Sequence, residues 1–240
     1  MFVSIAIFHY ISKFVSKVPV SGSYFTFVLI GLAVNQFTQI TLKSYLQTMH
    51  TIYWSNWLEI LLTSPTGTKT FFTAVMIWNY LNAVMNVSFY FIIGIGVFGA
   101  TFTFSTTAWI VIPILILLII SLSGIGLISA SMFMLANAKG NVEPIGWAIS
   151  TISGLVAGVY FPIEFLPSHI QVISKVLPQT YAIDAIRRIL LNGEDISEPF
   201  ILQAIIYLVV FSVVLLPLGM WMFNLGIKKA EREGTLARWM

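Results

Sequence analysis

Residues 154–192 read GLVAGVYFPIEFLPSHIQVISKVLPQTYAIDAIRRILLN. Gly154 and Gly158 stand four apart, a spacing that on a helix puts both on one face and lets a neighbouring backbone come close. Pro162 removes a backbone donor and disfavours helix at Phe161, and Pro167 and Pro178 interrupt the chain twice more. No single helix runs through such a stretch. Two short helical pieces are predicted, Ser168 to Leu177 with Ile170, Val172, Ile173 and Val176, and Thr180 to Leu191 with Ile183, Ile186, Ile189 and Leu190. Both read as amphipathic, and each is too short for a hydrocarbon core that takes about 20 apolar residues. They are expected to dip into or lie along one membrane interface before the last span begins.

The rest of the composition agrees with a membrane setting. Of 240 residues 58% are hydrophobic and 9% charged, where a soluble domain carries about 25% charged residues. The apolar runs are long and unbroken, not alternating in strands of roughly ten residues, so the chain is read as an integral membrane protein of the helical kind. The net charge of +3 comes from basic residues scattered between spans, which suits orientation and anionic lipid headgroups and argues against nucleic acid. With no cysteine there is neither a disulfide nor a thiolate metal site.

Taken in order, Met1 to Val15 is apolar but short, and Lys13 and Lys17 follow the run instead of preceding it, which makes a poor signal peptide. It reads as the last part of a membrane helix, followed by a loop to residue 21. Tyr24 to Leu42 is the first clear span, with Asn35, Gln36 and Gln39 towards its end. From Lys43 to Lys69 the chain turns mixed and aromatic, as a membrane-surface segment does, and Asn56 to Thr63 can make two helical turns ended by Ser64-Pro65. Thr70 to Phe98 is a span whose Asn79, Asn82 and Asn86 fall on one face. That amide stripe fits either a lined transport path or hydrogen bonding between packed helices. Thr107 to Ala136 follows, with Gly124 and Gly126 suggesting a kink. Ile145 to Phe161 and Phe200 to Ile227 complete five clear spans.

The ordered set Phe161-Pro162, Leu166-Pro167, Leu177-Pro178-x-Thr180-Tyr181-x-x-Asp184-x-x-Arg187 resembles the signature region of ABC-2 type exporter permeases. Trp57-Leu58-Glu59-Ile60-Leu61-Leu62-Thr63-Ser64-Pro65 is similar to the coupling segment of that family, and Lys228 to Leu236 to its tail. The resemblance covers the chain from about Tyr24 onward. It implies a single transmembrane domain, residues 1–240, on a six-helix plan: the abbreviated first span, a cytoplasmic coupling segment at 43–69, re-entrant external helices at 162–192, and a cytoplasmic tail at 228–240. It implies further that Trp57, Leu58, Glu59, Ile60, Leu61, Leu62, Ser64 and Pro65 enter a cleft on a separate ATPase subunit, which holds ATP and magnesium. A second permease copy, a homodimer in the simplest case, is implied as well. Pro162, Pro167, Pro178, Tyr181, Asp184 and Arg187 become an external gate, and the protein is placed in the cell membrane with both termini cytoplasmic. The charges lean the same way, with Lys43, Lys69, Lys139, Lys228, Lys229, Arg232 and Arg238 inside against Lys13, Lys17, Lys175, Arg187 and Arg188 outside.

Catalytic and metal sites are not expected. Gly67-Thr68-Lys69-Thr70 lacks the glycine pattern of a phosphate loop, and His9, His50 and His169 have no second ligand at helical spacing. Asp184 precedes Arg187 and Arg188 by three and four residues, so an intrahelical ion pair is the default reading. The resemblance therefore implies a transport permease for efflux, without cofactor of its own, in contact with membrane lipid. A non-transporting scaffold or assembly subunit is the alternative.

Overall fold

The computed structural model describes residues 2–14, 23–54, 67–103, 107–135, 150–152 and 154–232. Among them there is no strand, and the α-helices are α1 (Phe2–Phe14), α2 (Tyr24–Trp54), α3 (Gly67–Gly96), α4 (Val111–Leu135), α5 (Ser168–Val176), α6 (Pro178–Arg187) and α7 (Pro199–Arg232). Four helical stretches, Tyr24–Ile52, Thr70–Gly96, Ala108–Leu135 and Pro199–Lys229, are long and apolar enough to cross a membrane. Their outward residues are bulky and apolar, for example Ile77, Leu81, Val84 and Phe89 on α3 and Val209, Val213, Val214 and Trp221 on α7. Surfaces of that kind are stable against lipid and not against water.

α4 is the central helix, packed on α7 along one side and on α2 along the other. Its Ile114, Leu118 and Leu122 are buried with Ile30, Val34 and Leu42 of α2, Ile201, Ala204 and Leu208 of α7, and Ile183, Ile186 and Ile189 of the segment between spans. A second core, Leu46, Met49 and Ile52 with Phe72, Met76, Phe133 and Phe223, closes the far end of the bundle. Near the start of α2, Ile5 of α1 packs with Phe25, Leu29 and Tyr90. The hydroxyls of Ser121 and Ser212 bond each other across α4 and α7 at 2.9 Å, so neither is left bare in the apolar core.

Three expectations change. The helix that carries the first span does not end at Leu42, because Lys43 to Trp54 contains neither glycine nor proline and its Leu46, Met49 and Ile52 supply a buried stripe that carries α2 on. The span expected over Ile145 to Phe161 is helical at 150–152 and 154–156, and its chain leaves the helix at Ala157. The cause lies at Gly158, whose φ of 81° belongs to the left-handed region and cannot continue a right-handed helix. Gly154 and Gly158 therefore do not share a helical face: Gly154 has open space where a side chain would be, and Gly158 lies beyond the helix end. Gly124 and Gly126 lie within the continuous helix α4 and allow close contacts, Gly124 with the backbone of α7 and Gly126 with Tyr45 of α2.

Candidate functional site

Each of the three prolines picked out in the sequence stands at a helix start, where a missing N–H and a fixed φ cost nothing. Pro162 precedes the 3-10 turn Ile163–Phe165, Pro167 precedes α5, and Pro178 is the first residue of α6. The two short helices then differ. α5 keeps an exposed apolar edge of Val172, Ile173 and Val176. α6 has no such edge: Ala182, Ile183, Ala185, Ile186 and Arg187 are all buried, and it packs among α2, α4 and α7. It ends in a π-helical turn, Arg188–Asn192, whose Leu190 and Leu191 carbonyls accept from the backbone and hydroxyl of Thr103.

Arg187 is the centre of this segment. It is 4% exposed, and its guanidinium uses all three nitrogens: Nε donates to the Phe27 carbonyl at 3.1 Å, Nη1 to that of Gly158 at 2.6 Å and Nη2 to that of Val159 at 2.8 Å. The guanidinium carbon lies 3.4 Å from the centre of the Phe27 ring, which adds a cation–π contact in a desolvated place. The carbonyls of residues just past a helix end have no helical partner. Here Ser174 Oγ donates to Val156 at 2.7 Å and Arg187 takes Gly158 and Val159, so a hydroxyl and a cation cap the end of the 154–156 turn. Gly31 makes the approach possible, since a Cβ there would press on the Val159 carbonyl oxygen and stand 2.5 Å from Nη2 of Arg187. One side chain thus ties α2, the end of the broken helix and α6 together.

The expected ion pair of Asp184 with Arg187 or Arg188 is not found among the described residues. Arg187 is turned to carbonyls, and Arg188 pairs instead with Glu194 at 3.5 Å and stacks on Phe200. Burial lowers the Arg187 guanidinium to about 9, with Asp184 working against it, and it stays charged at neutral pH. Burial pushes Asp184, between the spans, up to about 6, with the Arg187 charge pulling the other way. Its folded-state value then lies above its ordinary 3.8, so the folded chain holds the proton longer and stability falls as pH rises from about 4 to about 6. The thermal midpoint in detergent is expected to fall between about pH 5 and about pH 7 by more in wild type than in Asp184→Asn. Equal falls would remove Asp184 as the source.

The remaining sequence-predicted residues lie elsewhere. Tyr181 donates to the Lys175 carbonyl at 2.9 Å and packs on Tyr207, fixing α6 to α5 and α7. Asn79 donates to Ser44 Oγ of α2 at 3.1 Å and Asn82 to the Trp78 carbonyl of its own helix at 3.0 Å, while Asn86 is half-buried further along α3. Trp57, Leu58, Glu59, Ile60, Leu61, Leu62, Ser64 and Pro65 lie outside the described residues. Phe27, Gly31 and Ser174 were missed, and only the single small residue in the bulky run Phe27-Val-Leu-Ile-Gly31-Leu hinted at a close approach.

Four helices long and apolar enough to span a bilayer, and a proline-started segment packed into one end of them, define a multi-pass helical membrane protein. Residues 24–221 match the ABC-2 family transporter proteins, and the chain belongs to that family. No individual curated protein matches it.

Proposed function

We propose that this chain is the membrane subunit of an ATP-driven exporter in the cell membrane, acting as two permease copies with two separate ATPase chains. Family membership supports a permease subunit and a partnership with an ABC ATPase in general terms. The observation that carries the reading further is the length of α2 and α3. At 1.5 Å per residue the 31 residues of α2 extend about 46 Å against a core of about 30 Å, and α3 is 30 residues long. Two long helices therefore project past the bilayer on either side of the 55–66 stretch, and a push delivered to Trp57 to Pro65 would enter the bundle along them. On this reading both termini and the coupling stretch are cytoplasmic, the 162–192 segment is the external re-entrant gate held by Arg187, and Asn79, Asn82 and Asn86 border the translocation path. ATP and magnesium sit on the partner.

Co-purification from native membranes, with ATPase activity measured in the same fraction, tests this. A stoichiometric nucleotide-binding protein is expected. Glu59→Ala with Leu61→Ala is expected to weaken its retention by about tenfold, the size of effect that truncating interface contacts worth about 1.4 kcal/mol produces. Recovery of the intact permease with no ATPase, from this chain and from one extended upstream of Met1, would overturn the exporter and favour a non-transporting scaffold.

A further inference from the structure

We infer that the groove between α2 and α3 binds the phosphate of an anionic membrane phospholipid. Two adjoining hollows of about 220 Å³ each lie between these helices and share Ser44, Gln47 and Asn79; Gln39, Lys43 and Asn82 complete the lining of one. Their walls are otherwise largely apolar, with Ile40 in one and Ile52, Phe71 and Val75 in the other, but a lysine and a row of amides facing hydrocarbon would be costly. The groove's depth removes the difficulty. About 20 helical residues cross a hydrocarbon core, and counted from Tyr24 at the start of α2 they end near Ser44. Counted back from Gly96 at the opposite end of α3, they end near Ile77. Asn79 donates to Ser44 at 3.1 Å, so the two counts meet at one level. The groove lies where hydrocarbon gives way to headgroups, about 25 Å along α2 from Phe27 and the Arg187 clamp.

The chemistry at that level suits a phosphate. Lys43 and Gln47, four residues apart on one face of α2, are both exposed. No carboxylate among the described residues pairs with Lys43. Asn79 and Asn82 each spend one amide hydrogen, on Ser44 and on the Trp78 carbonyl, and keep a second to donate. A lysine cation with amide donors beside it makes charge-assisted bonds to phosphate oxygens. The occupant is a lipid and not a soluble anion because the groove is continuous with bare apolar surface: Trp78, Leu81, Val84 and Met85 are all more than half exposed on α3, where acyl chains run up from the headgroup.

The permease, with whatever subunits remain bound, is titrated with phosphatidylglycerol and with phosphatidylcholine, and retained lipids are counted by native mass spectrometry. One phosphatidylglycerol per chain is expected to be held about fivefold more tightly than phosphatidylcholine, the preference one lysine near the surface gives. Lys43→Gln is expected to erase the preference while leaving phosphatidylcholine binding unchanged, and Lys43→Arg to keep it. Gln47→Leu, an exposed change that does not enter the core, should weaken it in part. Equal binding of the two lipids by wild type, or a preference that survives Lys43→Gln, overturns the site. Displacement of the lipid by inorganic phosphate alone overturns the lipid as its occupant. Lipid counting does not depend on ATP hydrolysis, so it stands or falls apart from the exporter reading.

Discussion

Arg187→Leu is expected to lower the thermal midpoint of the purified permease by roughly 10 °C, or to prevent its accumulation. Leucine fills most of the space but donates nothing. The Gly158 and Val159 carbonyls, which lie in a turn and have no helical bonds to fall back on, would remain in place, buried and unpartnered. An unsatisfied buried group costs about 1–3 kcal/mol, and the lost stacking on Phe27 adds to it. The sum is on the order of 3–5 kcal/mol, as for other broken buried charge networks. For a chain of this size each kcal/mol moves the midpoint by about 2–4 °C. Arg187→Lys is expected to fall between, since an ammonium on a flexible stem cannot reach three carbonyls in the planar fork of a guanidinium. Gly31→Ala attacks the same clamp from α2, where its Cβ would meet the Val159 oxygen and Arg187. Combined with Arg187→Leu it should cost more than either change alone but less than their sum, because the clash with the Val159 backbone does not involve Arg187 while the loss of the clamp is shared. Intrinsic fluorescence on heating, with gel filtration as a check on folding, reads these effects. An Arg187→Leu protein that melts with wild type would mean that the carbonyls find water, and that the clamp is not what holds the segment.

The helices that carry the fold were legible because long apolar runs are a signal that lipid itself imposes. The prolines of the 154–192 stretch were legible for a related reason, since each restricts its own backbone whatever surrounds it. What was hidden depended on distant partners. Arg187 has Asp184 as its sequence neighbour, so an ion pair is the natural inference; its actual partners lie 28, 29 and 160 residues away. The Gly154 and Gly158 spacing implies a shared face only if the chain is helical through both, and the positive φ at Gly158 removes that premise. Lys43 to Trp54 looked like a surface segment because its composition is mixed, although its burial pattern at Leu46, Met49 and Ile52 was present in the letters. The coupling stretch Trp57 to Pro65, outside the described residues, remains a reading of sequence and family alone.

The second large effect is expected at Gly219, where adding one methyl group should destabilise the bundle by about 2–3 kcal/mol, the upper part of the range for overpacking a tight core. α4 and α7 cross here backbone to backbone. A Cβ on Gly219 would lie 2.9 Å from the Cα and 3.0 Å from the carbonyl carbon of Gly124, closer still to its oxygen, and a Cβ on Gly124 would meet the Leu215 backbone in the same way. Backbone atoms have no rotamer to escape into, so the helices must separate. In lipid that loss is not offset by hydrophobic association, because helix pairs are held by van der Waals contact and interhelical hydrogen bonds, here the Ser121 to Ser212 bond. Two other glycines isolate the cause. At Gly226 the nearest atoms belong to the flexible side chain of Met134, 3.1 Å away at sulfur, so Gly226→Ala is expected to cost little. At Gly96, the last residue of α3, nothing lies within 4 Å, and Gly96→Ala should be neutral or slightly stabilising. Thermal midpoints should therefore rank Gly96→Ala at or above wild type, Gly226→Ala just below, and Gly219→Ala lowest, with Gly219→Val failing to accumulate. If Gly219→Ala melted with Gly96→Ala, α4 and α7 would have room to part, and the close crossing would not be what holds the central helix in place.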